Sequence, residues 1–163
     1  MTVIVPVQVQ RLAHALPELP TYATPGAAAM DLQAAIEKPL TLAPLERSLV
    51  PTGLIIALPE GFEAQIRPRS GLAIKHGISL INAVGTIDSD YRHEVKIPIV
   101  NLSSIPYTIQ PGDRIAQLLV APVSRAEWLE VAEISQDTER SGGFGSTGFG
   151  AKKPDVKVLA NSQ

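Results

Sequence analysis

The stretch NAVGTIDSDYRHE, residues 82–94, decides how the rest of the chain is read. It stands between two apolar runs, Ile78-Ser79-Leu80-Ile81 and Val95-Lys96-Ile97-Pro98-Ile99-Val100. Strand-like runs on either side of a turn bearing Gly85 and Asp88 predict a β-hairpin. The same turn carries Asn82, Asp90, Tyr91, Arg92, His93 and Glu94, more chemistry than reversing a chain needs. A carboxylate and an aromatic ring at a fixed separation suit a small molecule.

Outward from this stretch, the sequence is strand-like almost everywhere. Fourteen prolines and twelve glycines punctuate it, and helical periodicity is nearly absent. Strands are predicted over 3–9, 31–35, 40–42, 47–50 and 54–58, the last ending at the turn signal Pro59-Glu60-Gly61. Residues 62–67 alternate, with Phe62, Ala64 and Ile66 on one face and Glu63, Gln65 and Arg67 on the other. One short helical turn is predicted over 72–75. After the hairpin come strands at 107–109, at 114–123, read as buried on both faces, and at 127–134, which holds Trp128. Short strands at close spacing predict an all-β, jelly-roll-like sandwich or barrel. The Gly-rich run 141–150 cannot pack a core. The expected division is therefore a β domain over 1–136, a mobile lid over 137–150 and a disordered tail over 151–163.

Composition narrows the function classes. The chain has 163 residues, enough for one domain, with 45% hydrophobic and 18% charged residues. Aromatic residues are only 4%, so the core must be aliphatic. A net charge of −2 with no basic block argues against nucleic acid as the partner. The absence of cysteine excludes a disulfide scaffold and a zinc–thiolate centre. The start, MTVIVPVQVQ, lacks the features of a signal peptide, and no apolar run is long enough for a membrane span, so a cytoplasmic protein is expected.

Five polar stretches interrupt the strand pattern: 27–32 (AAAMDL), 68–73 (PRSGLA), 82–94, 111–118 (PGDRIAQL) and 139–148 (ERSGGFGSTG). Each has a plain structural reading. Asp31 can bond a nearby amide in a turn. Arg69-Ser70-Gly71 is either a surface turn or a phosphate cradle made of a cation, a hydroxyl and an unhindered amide. Gln117 lies inside an apolar strand and must find a partner, structural or ligand. Asp113-Arg114 reads as a local ion pair. Phe144, with Arg140 before it and Ser146-Thr147 after it, is more than a plain linker needs, yet no Gly-Lys-Ser/Thr marks a P-loop. His14, His76 and His93 have no metal-ligand spacing.

Taken together, the order, content and spacing of the five stretches resemble the trimeric dUTP pyrophosphatase (dUTPase) family, over residues 22–148. The resemblance implies a jelly-roll homotrimer that hydrolyses dUTP to dUMP and pyrophosphate with Mg²⁺, keeping uracil out of DNA and supplying dUMP. It implies that Asp88 orients and deprotonates the water attacking the α-phosphorus. Tyr91 would lie under the deoxyribose and exclude a 2′-hydroxyl. Asn82 and backbone groups near Gly85 would read the uracil edge. Arg69, Ser70, Gly71 and Gln117 would hold phosphates, and Lys96 would join the substrate-binding set. Asp31 would help to place Mg²⁺ through a water. In the tail, Phe144 would stack on uracil while Arg140, Gly145, Ser146 and Thr147 reach the outer phosphates. The resemblance also implies one site shared by three subunits.

Two positions depart from the family pattern. His93 stands where the family usually has Gly. One residue separates Arg140 from Gly142-Gly143-Phe144, where two are usual. A dCTP deaminase of the same fold and a non-catalytic nucleotide-binding trimer are the competing expectations.

Overall fold

A computed structural model of the chain describes residues 3–137. The chain divides into a unit Met1–Arg125 and a second unit Ala126–Gln163, of which residues 126–137 are described. The first unit contains ten strands and one short helix. In order these are β1 (Gln8–Arg11), β2 (Met30–Gln33), β3 (Leu40–Leu42), β4 (Arg47–Ala57), β5 (Phe62–Pro68), α1 (Ser70–His76), β6 (Ile78–Leu80), β7 (Gly85–Ile87), β8 (Glu94–Asn101), β9 (Tyr107–Ile109) and β10 (Arg114–Pro122). All pairings are antiparallel, which is the all-β class expected.

Two four-stranded sheets, β1-β4-β8-β6 and β2-β10-β5-β7, and the pair β3-β9 make up the architecture. Each sheet keeps two edge strands, so the sandwich half of the expectation holds and no barrel closes. The core is aliphatic, as the scarcity of aromatics requires: Leu32, Leu42, Val50, Ile66, Ile78, Ile97, Ile99 and Ile109 are almost fully buried. Clean alternation on β5 sends Ala64 and Ile66 into that core and leaves Arg67 outside.

The predicted hairpin is only half a hairpin. Its arms do pair, Ile78 with Asn101 and Leu80 with Ile99. Between them the chain leaves this sheet, and β7 joins β5 of the other one, Gly85 opposite Ile66 and Ile87 opposite Ala64. Residues 82–94 therefore connect the two sheets.

Several strand boundaries also differ from expectation. The first ladder begins at Gln8 rather than at Val3. The runs 47–50 and 54–58 form one strand, β4, with an irregularity opposite β8 between Pro51 and Ile55. Pro51 lacks an N–H, which is why it read as a strand end, but side chains keep the strand going here. Thr52 Oγ1 donates to the Val95 carbonyl at 2.6 Å, and Gly53 N–H donates to Glu94 Oε1 at 2.8 Å. Gly53 has φ +72°, and a Cβ there would stand 2.4 Å from Ala15 Cα. Only glycine lets the loop around His14 lie this close. On β10 one face is buried and the other half-buried, rather than both buried. No ladder forms over 127–134; Trp128 is 93% exposed. Apolar content alone does not make a strand, and no partner strand among the described residues pairs with this one. The expected lid beyond residue 137, the tail, Arg140, Phe144, Gly145, Ser146 and Thr147 lie outside the described residues.

Candidate active site

The second sheet builds a cationic corner. On β10, Gln117 faces Asp31 of β2 on one side and Arg67 of β5 on the other. Cross-strand partners share a face, so the Gln117 amide reaches Asp31 Oδ1 at 3.2 Å. The register of β10 against β2 shifts between Arg114 and Ala116. This bulge lets Ile115 and Ala116 both turn inward and sends Arg114 outward. Arg114 Nη1 then donates to Asp31 Oδ2 at 3.1 Å. Arg69, immediately after β5, completes the corner. Its Nε and Nη2 donate to the two oxygens of Asp31 at 3.1 and 3.3 Å, and its Nη1 to the Arg114 carbonyl at 3.0 Å.

The chain thus brings together Asp31, Arg69 and Gln117, with Arg114 added. Asp113 and Arg114 are not a local pair: Asp113 Oδ2 accepts from Gln110 N–H in the turn, while Arg114 reaches 83 residues back to Asp31. Adjacency in sequence misleads, because neighbours on a strand point to opposite faces. Beside the corner a cavity of about 280 Å³ is lined by Arg69, Ser70, Gly71, Leu72, Lys75, His76 and Gln117, with no carboxylate among them. Tyr107 packs at 5.0 Å from the His76 ring. Its burial and the Asp113 charge push its phenol up against the pull of Arg69, so it stays neutral.

Asp31 does not fit a resident Mg²⁺ in this arrangement. Its two oxygens accept four hydrogen bonds, which uses the acceptor capacity of a carboxylate. Two guanidinium groups beside it also repel a further cation. Among the described residues no cluster of three or more His, Cys, Asp or Glu could cage a metal.

The inter-sheet connection holds the rest. Gly85 is buried, and a Cβ added to it would stand 3.3 Å from Asn82 Nδ2, so its bareness leaves room for that amide. Asp88 lies exposed on the rim of an open cavity of about 810 Å³, shared with Glu63, Asp90, Arg92 and Arg125. Its carbonyl accepts the Tyr91 N–H at 3.2 Å, closing a tight turn. Arg92 Nη1 ties the same turn by donating to the Ser89 and Tyr91 carbonyls at 2.6 and 2.8 Å. Tyr91 Oη donates to the Glu94 carbonyl at 3.0 Å. Tyr91 and Lys96 line a third cavity, of about 370 Å³, with Leu49, Ile87, His93 and Glu94. His93 needs no glycine-like backbone: Leu45 is the one non-glycine residue of positive φ among the described residues. Its ring lies edge-on to Tyr91, with centroids 5.7 Å apart.

Glu94 carries no role in the sequence reading, yet it anchors this connection. Its Oε1 meets His14 Nε2 at 2.7 Å and Gly53 N–H at 2.8 Å, and its Oε2 lies 3.5 Å from Lys96 Nζ. Burial pushes its carboxyl up, but these hydrogen bonds and the charges of His14 and Lys96 outweigh that and hold it below the ordinary value of 4.5. Its partner His14 lies 80 positions away, so no local signal could have found the contact.

Asp88, Tyr91 and Arg69 line three different cavities. These three residues, expected from the sequence to act in one site, therefore stand apart on one chain.

Comparison with known proteins gives the family. The dUTPase family model matches residues 17–148. The deoxyuridine 5'-triphosphate nucleotidohydrolase of Finegoldia magna is 57% identical over 131 residues, covering 80% of this chain and 92% of that protein. The protein of the same name from Wolbachia pipientis wMel is 57% identical over 145 residues, covering 87% and 95%. The Staphylococcus bacteriophage 80alpha dUTPase, solved with dUPNHPP, superposes with a TM-score of 0.78 at 26% identity, covering 88% of this chain and 99% of its own. With the family match spanning most of its length, this chain belongs to the dUTPase family.

Proposed function

We propose that the chain hydrolyses dUTP to dUMP and pyrophosphate, in a site assembled from more than one copy of itself. The family match and the named relatives support the reaction. The observation that carries the phosphate half is the carboxylate-free cavity lined by Arg69, Ser70, Gly71 and Gln117. Arg69 keeps guanidinium donors beyond the three it uses, and the exposed Ser70 hydroxyl and Gly71 amide add neutral donors. Bonds from such groups to phosphate oxygens are charge-assisted.

Asp88 acts as the general base. Its side chain makes no hydrogen bond among the described residues, so its oxygens are free to take a water proton. As the proton moves to Asp88, the water oxygen bonds to the α-phosphorus and the bridging bond to the β-phosphate breaks. Pyrophosphate then leaves on the phosphate cradle. Tyr91 supports the deoxyribose, and Asn82 bonds the uracil edge. The N3–H of uracil is an acceptor position in cytosine, so cytosine leaves buried groups unpaired. The residues around Asp31 do not fit a resident Mg²⁺, so the ion is expected as a counter-ion on the triphosphate, which is how Mg²⁺ commonly meets nucleotides.

A homotrimer reconciles the three cavities. One chain offers Asp88 and Tyr91 and another offers Arg69 and Gln117. The third adds a lid carrying Arg140, Phe144, Gly145, Ser146 and Thr147. No helix among the described residues is long and apolar enough to cross a membrane, and a cytoplasmic location suits a nucleotide substrate.

The deciding assay follows pyrophosphate release from dUTP, dTTP, dCTP and UTP in the presence of Mg²⁺. Turnover of dUTP well above the other three is expected. Ammonia released from dCTP, or dUTP bound without turnover, would overturn the proposal.

A further inference from the structure

We infer that Lys75 is a further phosphate-binding residue, supplying the cation that the Arg69 corner lacks. The inference rests on the reading that this cavity receives the polyphosphate of the substrate. Arg69 and Arg114 both pair with the Asp31 carboxylate, so two positive charges share one negative charge and only one remains for an anion. A nucleoside triphosphate carries more charge than that corner can match. Lys75 lines the same cavity and forms no ion pair with the described residues. Helical spacing explains its place: on α1, Lys75 lies four residues after Gly71 and therefore above it on the same face. Side chains on a helix lean toward its start, so the Lys75 side chain is directed toward the end of the cavity that holds Ser70 and Gly71. A Cβ added at Gly71 would meet no atom within 4 Å, so the cavity is open on this side of the helix. His76 also lines the cavity, but its ring packs on Tyr107.

A cation in the last helical turn also complements the helix dipole, and that role would affect stability without affecting ligand affinity. Binding therefore separates the two. The probes are inorganic pyrophosphate, as a competitive inhibitor of dUTP turnover, and dUTP itself. Lys75→Gln should weaken both by about tenfold, with the loss falling more on KM than on kcat. It should also flatten the decline of affinity with salt. Lys75→Arg should restore most of the affinity. Lys38→Gln, an exposed lysine in a different cavity, controls for bulk charge and should change neither. Pyrophosphate held equally by Lys75→Gln and the native chain, but lost in Arg69→Gln or Ser70→Ala, would overturn the role of Lys75 and leave the cavity's function standing. Pyrophosphate held equally by all three variants would overturn both.

Discussion

The corner around Asp31 and the connection around Asp88 are built on opposite plans. The corner satisfies itself: one carboxylate, two guanidinium groups and an amide from β2, β10 and the end of β5 bond one another at 3.0–3.3 Å. The connection ties its turn with Tyr91 and Arg92 but leaves Asp88 and Asn82 exposed. Charge accounts for the difference. A part-buried arginine must find an acceptor within its own chain, so the proposed phosphate side is shaped before any ligand arrives. The general base proposed for Asp88 must keep its lone pairs free, and in that proposal its surroundings are left for substrate and neighbouring chains to complete.

The contrast can be tested from its largest consequence downward. Asp88→Ala should cut pyrophosphate release by about 10²–10⁴-fold while thermal unfolding stays unchanged, because the side chain supports no packing. A fall in Tm as large as the fall in activity would mean that the carboxylate is structural after all. Next comes complementation. Asp88→Ala and Arg69→Gln chains, each inactive alone, should regain turnover when unfolded and refolded together, because about a quarter of shared sites would recover both groups by random mixing. No recovery would place Asp88 and Arg69 in one chain's site and break the contrast.

Asp31→Ala should weaken the corner by about 2 kcal/mol, since it takes the acceptor from Gln117 and from two of the three bonded Arg69 donors and leaves two guanidinium groups unshielded. Chemical denaturation measures this. A fully stable variant would mean that the corner is not self-supporting. The smallest effect belongs to Glu94→Gln, at about 1 kcal/mol. Because the folded-state value of Glu94 is lowered, its contribution is complete above pH 4.5 and is lost as pH falls through that lowered value. The native chain should therefore lose its advantage over the variant only in acid. A stability gap independent of pH would mean that His14 and Gly53 do not depend on the Glu94 charge.

The legibility of the site follows the same contrast. The candidate groups stand out locally: Arg69-Ser70-Gly71, Asp88 with Tyr91, and Asn82 with Gly85 each lie within a short stretch. Contacts made across sheets do not. Arg114 read as the partner of Asp113, and Glu94 had no role, because Asp31 and His14 lie more than 75 residues away. Lys75 was silent because a lone lysine near a helix end has a sufficient local explanation. The strand expected over 127–134 shows the converse failure: composition can favour a strand, but only a partner makes one.

The sequence by itself determined the all-β class, the aliphatic core and the chemical types of the candidate site groups, since alternation, turn residues and polar side chains are local properties. Only the tertiary structure decided that residues 82–94 pass from one sheet to the other rather than folding back as a hairpin. The physical reason is long-range pairing. Which strand β7 joins depends on the edge that β5 leaves open, and Asp31 meets Arg69, Arg114 and Gln117 only because the β10 register and its bulge bring them to one face.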